Sequence, residues 1–179
     1  MKIIITESQY KLLTENNSYE YGALLLELNI KDWPKILDGI DKLDLYRQSL
    51  KYGLETEPHL TIVFGIEQNV NVKELINFVK SNVKGPISVI LHGISTFQTN
   101  TYDFLKFDVI CPTIVKLNKL IKQNFNIHDR FPNYIPHVTI AALKPGAAKK
   151  YMKKNVVITG NSSLITYSPP NGPRIKFKI

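Results

Sequence analysis

Residues 57–65 read EPHLTIVFG and residues 135–143 read IPHVTIAAL, so one pattern, Pro-His-apolar-Thr-Ile, is written twice in the chain. Both copies have the apolar, β-branched composition of a strand. Strand side chains alternate between faces, which puts His59 with Thr61 and His137 with Thr139 on one side. Leu60, Ile62, Val138 and Ile140 then enter an apolar layer on the other. A lone His-x-Thr normally just fills a strand face. Recurrence of the same pentapeptide in two matching settings argues for a function that needs the pair.

Working outward, each copy follows a strand and a helix. Residues 21–28 (YGALLLEL) form an apolar run typical of a buried strand. Asp32, Trp33 and Pro34 mark the start of a helix expected to run to about Leu43, since proline suits a first turn. Asn71 to Glu74 carries a capping signal before the helical spacing of Leu75, Ile76 and Val79. Residues 87–98 (ISVILHGISTFQ) and 102–110 (YDFLKFDVI) make an antiparallel pair about the turn TNT. Pro112 opens a helix carrying Val115, Leu117, Leu120 and Ile121. After the second motif come a short basic helix over 147–154 (AAKKYMKK) and three short strands, VVIT, SLITY and RIKFKI, with PPNG as the last turn. Mixed helices and hairpins in this order predict an α+β domain with largely antiparallel sheets, not a doubly wound parallel one.

At the N-terminus, Thr6 and Gln9 form a capping box for a helix to about Leu13, and the polar run Glu15 to Ser18 reads as a linker. Residues 1–18 are therefore expected to be an appendage and residues 19–179 the domain. A chain of 179 residues is long enough for one domain with its own core. The single cysteine, Cys111, sits at the end of an apolar strand-like run and suits a reducing compartment. No run approaches the roughly 20 apolar residues that span a bilayer, and the N-terminus turns polar too early for a signal peptide. The expectation is a soluble, cytoplasmic protein with no membrane contact and no obligate protein partner. A net charge of +8 favours anionic partners, nucleotides and nucleic acids among them. The run Lys149, Lys150, Lys153 and Lys154 also fits the wet face of a helix.

Two imidazoles that titrate near neutral pH fit the cleavage of a phosphodiester, where one proton is taken from the attacking oxygen and another given to the leaving oxygen. The threonine hydroxyls can donate to non-bridging phosphate oxygens. Zinc is the rival use of paired histidines. Zinc sites normally add carboxylate or cysteine ligands, and the second motif has Ile135 where the first has Glu57, so no metal and no cofactor is expected.

Paired His-x-Thr motifs on duplicated strand and helix units resemble the 2H phosphoesterases, which include LigT-like RNA ligases and cyclic phosphodiesterases. The resemblance covers the chain from about Tyr19 onward and implies a duplicated, bilobal fold, with antiparallel sheets flanking a central cleft and helices outside. YGLETEPHLTIVFGI, HGISTFQTNTYDFLKFDV, YIPHVTIAALKPGAAKKY and TYSPPNG look similar to the phage anti-CBASS phosphodiesterases, 2H enzymes that cut the cyclic di- and trinucleotides with which bacteria signal infection. That likeness implies a metal-independent phosphodiesterase acting on cyclic oligonucleotides in the bacterial host cytoplasm. His59, Thr61, His137 and Thr139 take the catalytic positions. Phe97 falls where that group places an aromatic that stacks on a base, with a core phenylalanine as the plain alternative. Tyr21 is similar to a pocket tyrosine, or is a buried strand-start residue. Lys144 faces phosphate or is an exposed turn lysine. The chain departs from the group at Leu164, where related proteins carry a glutamate, which puts the preferred base in doubt.

RNA-end processing, by opening of a 2′,3′-cyclic phosphate or handling of a 2′–5′ linkage, would use the same four residues. A different class is a nucleotide-binding sponge or an RNA-binding protein that cuts nothing. Turnover without added metal discriminates between these classes.

Overall fold

The computed structural model describes residues 20–46, 53–129 and 132–179. The helix and linker expected before residue 19 lie outside the described residues.

Strand β1 (Gly22–Glu27) is followed by helix α1 (Trp33–Asp38), strand β2 (His59–Ile66) and helix α2 (Val72–Asn82). Next come β3 (Ile87–Gln98), β4 (Asp103–Ile110), helix α3 (Pro112–Asn124) and β5 (His137–Leu143). A 3₁₀ turn (Ala147–Tyr151) leads to β6 (Lys153–Ser162), β7 (Leu164–Ser168) and β8 (Ile175–Lys178). The strands form one eight-stranded sheet in the order β6-β3-β4-β5-β2-β1-β7-β8, and neighbours run antiparallel. The α+β architecture is the one the sequence predicts.

Alternation within β2 and β5 sorts the side chains as expected. Leu60, Ile62, Val138 and Ile140 have no exposed surface, whereas His59, Thr61, His137 and Thr139 are half-buried on the other face. The apolar layer is covered by α2 through Leu75 and Val79, and by α3 through Ile114, Leu117 and Ile121, which recur at helical spacing. Burying a side chain of this size contributes about 1.5–3 kcal/mol. Asn118 on α3 also donates to the carbonyl of Ile62 at 2.8 Å, which ties the helix to the motif strand.

The two halves of the sheet meet at a single ladder pair between β2 and β5, Leu60 with Val138. Beyond it the strands part, and loop segments take the freed edges. Leu45 and Leu54 bridge to Leu143 and Ala141 on β5, and Ile127 bridges to Ile66 on β2. The segment leading into each motif thus crosses to the strand of the other motif. The first crossing is held by Trp33, buried at the start of α1, whose indole N–H donates to the Glu55 carbonyl at 2.7 Å. The second depends on Gly65, which has φ +96° and accepts the backbone N–H of His128 at 2.7 Å.

Two expected elements come out shorter. Helix α1 stops at Asp38 and not near Leu43, where Gly39 follows and its N–H closes on the Lys35 carbonyl. The basic helix expected over 147–154 is only the 3₁₀ turn, because Lys153 pairs with Ile94 and begins β6. Ladder bonds outweigh helix propensity there. Cys111 follows β4 directly and is buried, with its thiol against the Ser88 carbonyl at 3.3 Å, and burial pushes that thiol's pKa up. Among the described residues no helix is long and apolar enough to cross a membrane.

Candidate active site

The two motif histidines are held identically. His59 Nδ1 lies 2.8 Å from the carbonyl of Glu57, and His137 Nδ1 lies 2.8 Å from the carbonyl of Ile135. A carbonyl can only accept, so each Nδ1 carries the proton and each Nε2 is left to give or take one. Pro58 and Pro136 precede the histidines and favour the extended backbone from which this contact to residue i−2 is made. The antiparallel register through Leu60 and Val138 sets His59 across from Thr139, and Thr61 across from His137. The two imidazoles thus stand diagonally across the joining pair, and the charge of His59 is felt at His137. Tyr134 fixes the approach to the second motif by donating to the Thr61 carbonyl at 2.5 Å.

The flanking strands repeat part of this arrangement. On β1, Glu27 lies opposite His59 and Leu25 opposite Thr61. On β4, Asp108 lies opposite His137 and Lys106 opposite Thr139. Each histidine therefore has a carboxylate across the ladder from it. Glu27 is bonded by the Thr166 hydroxyl and by Lys176 at 2.7 Å. Burial pushes its carboxyl pKa up, but these bonds outweigh that and hold it below the ordinary value. Asp108 is bonded by Lys106 and by Ser95, the latter at 2.8 Å, with the same net direction against the cost of burial. Lys106 is only 3% exposed, and it also donates to Ser95 at 2.8 Å.

Phe97 on β3 completes this wall. Its ring meets His137 edge to face at 5.0 Å and lies 4.3 Å from Lys106 Nζ. It is half-buried and stands outside the core cluster. His137 has its pKa lowered, first by burial and then by the charges of Lys106 and His59, against the raising effects of the Ile135 carbonyl and Asp108.

The fold brings together His59, Thr61, His137, Thr139 and Phe97. It does not bring Tyr21 or Lys144 to them. Tyr21 precedes β1 at the end remote from Glu27, stacked on His128 at 4.6 Å and edge-on to Phe64. Lys144 follows the far end of β5, exposed, with its backbone N–H on the Asp44 carbonyl at 2.7 Å. Leu164 is half-buried and pairs with Lys178, and the carboxylate that meets β7 is Glu27, reaching across to Thr166.

Lys106, Asp108, Ser95 and Glu27 are not singled out by the sequence pattern. The available signal is in DFLKFDVI, where Lys106 and Asp108 alternate with Leu105, Phe107 and Val109, all of them buried. An open depression of about 260 Å³ lined by Ile94, Leu105, Phe107, Ile140 and Tyr151 belongs to the apolar face and includes none of His59, Thr61, His137 and Thr139.

No family model and no curated protein sequence matches the chain. Solved structures do. Usb1 from Kluyveromyces marxianus superposes with a TM-score of 0.61 at 12% identity, over 90% of this chain and 99% of that one. Its structure with uridine monophosphate matches with the same score and identity, over 90% and 100%. LigT from E. coli in its apo form matches at 13% identity with a TM-score of 0.44, over 89% and 95%. The likeness to Usb1 shows a shared fold.

Proposed function

We propose that the protein is a metal-independent phosphodiesterase of the 2H kind, acting on a nucleotide phosphodiester through His59 and His137. The observation that carries this is the matched pair of imidazoles, each with Nδ1 bonded to the carbonyl of residue i−2, flanking the one ladder pair that joins the sheet halves. One Nε2 takes the proton of the attacking hydroxyl while the other protonates the departing oxygen. Thr61 and Thr139 donate to the non-bridging oxygens, where charge accumulates as the bonds change. Phe97 stacks on a base.

Within that class the preferred substrate is a cyclic di- or trinucleotide messenger, as for enzymes by which phages counter CBASS signalling, at work in the host cytoplasm. This finer assignment rests on the resemblance of the segments around both motifs, with the +8 charge as minor support. RNA-end processing is the second reading, favoured by the fold shared with Usb1, whose structure is described with uridine monophosphate. Residues 19–179 form the catalytic domain.

The test is incubation of the protein in excess EDTA with cyclic dinucleotides, cyclic trinucleotides and 2′,3′-cyclic nucleotides, with products identified by mass spectrometry. Linearised cyclic oligonucleotides are expected. Opening of 2′,3′-cyclic ends alone would replace the messenger reading with RNA processing. Activity lost on chelation and restored by zinc or manganese would overturn the metal-free mechanism, and binding without turnover would make the protein a sponge.

A further inference from the structure

The two motifs are alike, but their surroundings are not, and the difference falls at one position. Through the ladders, Leu26 on β1 corresponds to Phe107 on β4, and Glu27 corresponds to Asp108. Lys106, opposite Thr139, corresponds to Leu25, opposite Thr61. One histidine thus has a buried ammonium beside it, and the other an aliphatic side chain. The cations on the first half are held away from the ladder positions beside the motif: Lys176 on β8, with a side chain 56% exposed, pairs with Glu27, and Arg174, before β8, pairs with Glu57 at 3.3 Å. Lys106 has a side chain only 4% exposed and is fixed from both sides by Asp108 and Ser95, with its Nζ over the Phe97 ring that abuts His137.

We propose that Lys106 is a positioning residue that breaks the symmetry of the two motifs, making His137 the proton acceptor and His59 the proton donor. The inference rests on the phosphodiesterase reading and assigns the two roles within it. A fixed positive charge next to one imidazole favours its neutral form, and the effect is strong where water is largely excluded. The charged and titratable groups facing His137 are Lys106 and Asp108 from β4 and His59 from β2, with His92 behind Asp108 on β3. Asp108 is bonded by Lys106 and Ser95, and its raising effect on His137 is smaller than the lowering effect of Lys106, which leaves a net bias towards the neutral ring. In the reaction, His137 Nε2 takes the proton of the attacking hydroxyl as the new oxygen–phosphorus bond forms. The bond from phosphorus to the leaving oxygen breaks, and His59 Nε2 gives that oxygen its proton. Each imidazole ends in the other's starting form, and exchange with solvent resets the pair.

The roles are separated by a leaving group that needs no proton. Unaltered protein, His59→Ala and His137→Ala are compared on uridylyl(3′→5′)uridine and on uridine 3′-(4-nitrophenyl phosphate). The aryl ester is expected to restore His59→Ala by roughly a hundredfold, the lower range for a missing general acid, and to leave His137→Ala impaired. Restoration of His137→Ala instead, or of both or neither, overturns the assignment. NMR titration of the His137 ring without substrate tests Lys106 independently of turnover. Its midpoint should rise in Lys106→Met and hold in Lys106→Arg. Should Lys106→Met fail to fold, Lys106→Gln, which keeps a polar group for Asp108 and Ser95, is expected to raise the midpoint as well. An unmoved midpoint in the folded variant overturns the role of Lys106. If unaltered protein cleaves neither probe and nothing in the nucleotide panel, the phosphodiesterase reading falls and takes the acid–base assignment with it, while the titration still decides whether Lys106 acts on His137.

Discussion

Leu60 and Val138 are the ladder pair that joins β2 to β5, and both side chains are fully buried beneath it. The residues on either side of each are a histidine and a threonine, so the apolar contact fixes the polar one. A shift of one residue in this register would turn the histidine and threonine of one strand into the core relative to those of the other, which strongly disfavours any other pairing. The site is thus specified by hydrophobic packing on the face where no chemistry occurs.

His59→Ala and His137→Ala should each lower turnover by roughly a hundredfold to ten-thousandfold on a substrate with a poor leaving group. Both side chains are half-buried on the open face, so circular dichroism and melting temperature should change little. Thr61→Val and Thr139→Val, which delete one donor to phosphate each, should cost less. Near-normal turnover in either histidine variant would remove that residue from the mechanism.

The rate should follow a bell-shaped pH dependence, with the acceptor neutral and the donor protonated. Burial and the nearby positive charges lower the His137 pKa, so with His137 as acceptor the acid limb should fall below the ordinary histidine value of about 6.5. A stability effect of matching sign accompanies it. The unfolded chain binds this proton more readily, so the contribution of neutral His137 is present above the unfolded value and lost as pH falls through the folded one. Chemical denaturation across this range should show a shallower acid-side loss in His137→Ala.

The motif strands are legible because period-2 alternation and a repeated pentapeptide are local signals. So is Phe97, through the segment that carries the resemblance, although its contact with His137 depends on the pairing of β3 with β4 and of β4 with β5. Lys106 and Asp108 are hidden for the same reason. Their meaning comes from lying opposite Thr139 and His137 on another strand, and register between non-adjacent segments is not written in either segment alone. Tyr21 and Lys144 show the converse. Each is close in sequence to a motif or its strand partner, yet extended strands carry them to the remote ends, at about 3.3 Å for every intervening residue.

Gly65→Ala should be strongly destabilising. The backbone there has φ +96°, and an added Cβ would sit 2.2 Å from the carbonyl oxygen of His128, a backbone atom that cannot swing aside. The crossing segment would have to detach from β2, with a loss of about 1–3 kcal/mol for the backbone strain alone. Gly53→Ala on the other crossing segment is the control, since a Cβ added there would meet nothing within 4 Å. Equal melting temperatures for the two variants would refute this account of how the edges are closed.

Phe97→Ala separates a substrate-facing ring from a core one. If Phe97 stacks on a base, its loss should weaken substrate capture by about 1–3 kcal/mol, read as a rise in KM, while Phe97→Trp should be tolerated because every base has a face on which an indole can lie. The ring is half-buried and absent from the core cluster, so the melting temperature should move far less than in Phe107→Ala. Phe107 is fully buried on the opposite face of the sheet, and its truncation should cost about 3–5 kcal/mol through the cavity it leaves. The T-shaped contact with His137 adds a second signature, since Phe97→Ala also removes a wall of that imidazole and admits water. Burial is the leading cause of the lowered His137 pKa, so the variant should move the acid limb of the pH profile upward, towards the ordinary histidine value. A large fall in stability with unchanged KM and an unmoved acid limb would make Phe97 a packing residue and take the base-stacking surface away from this wall of the cleft.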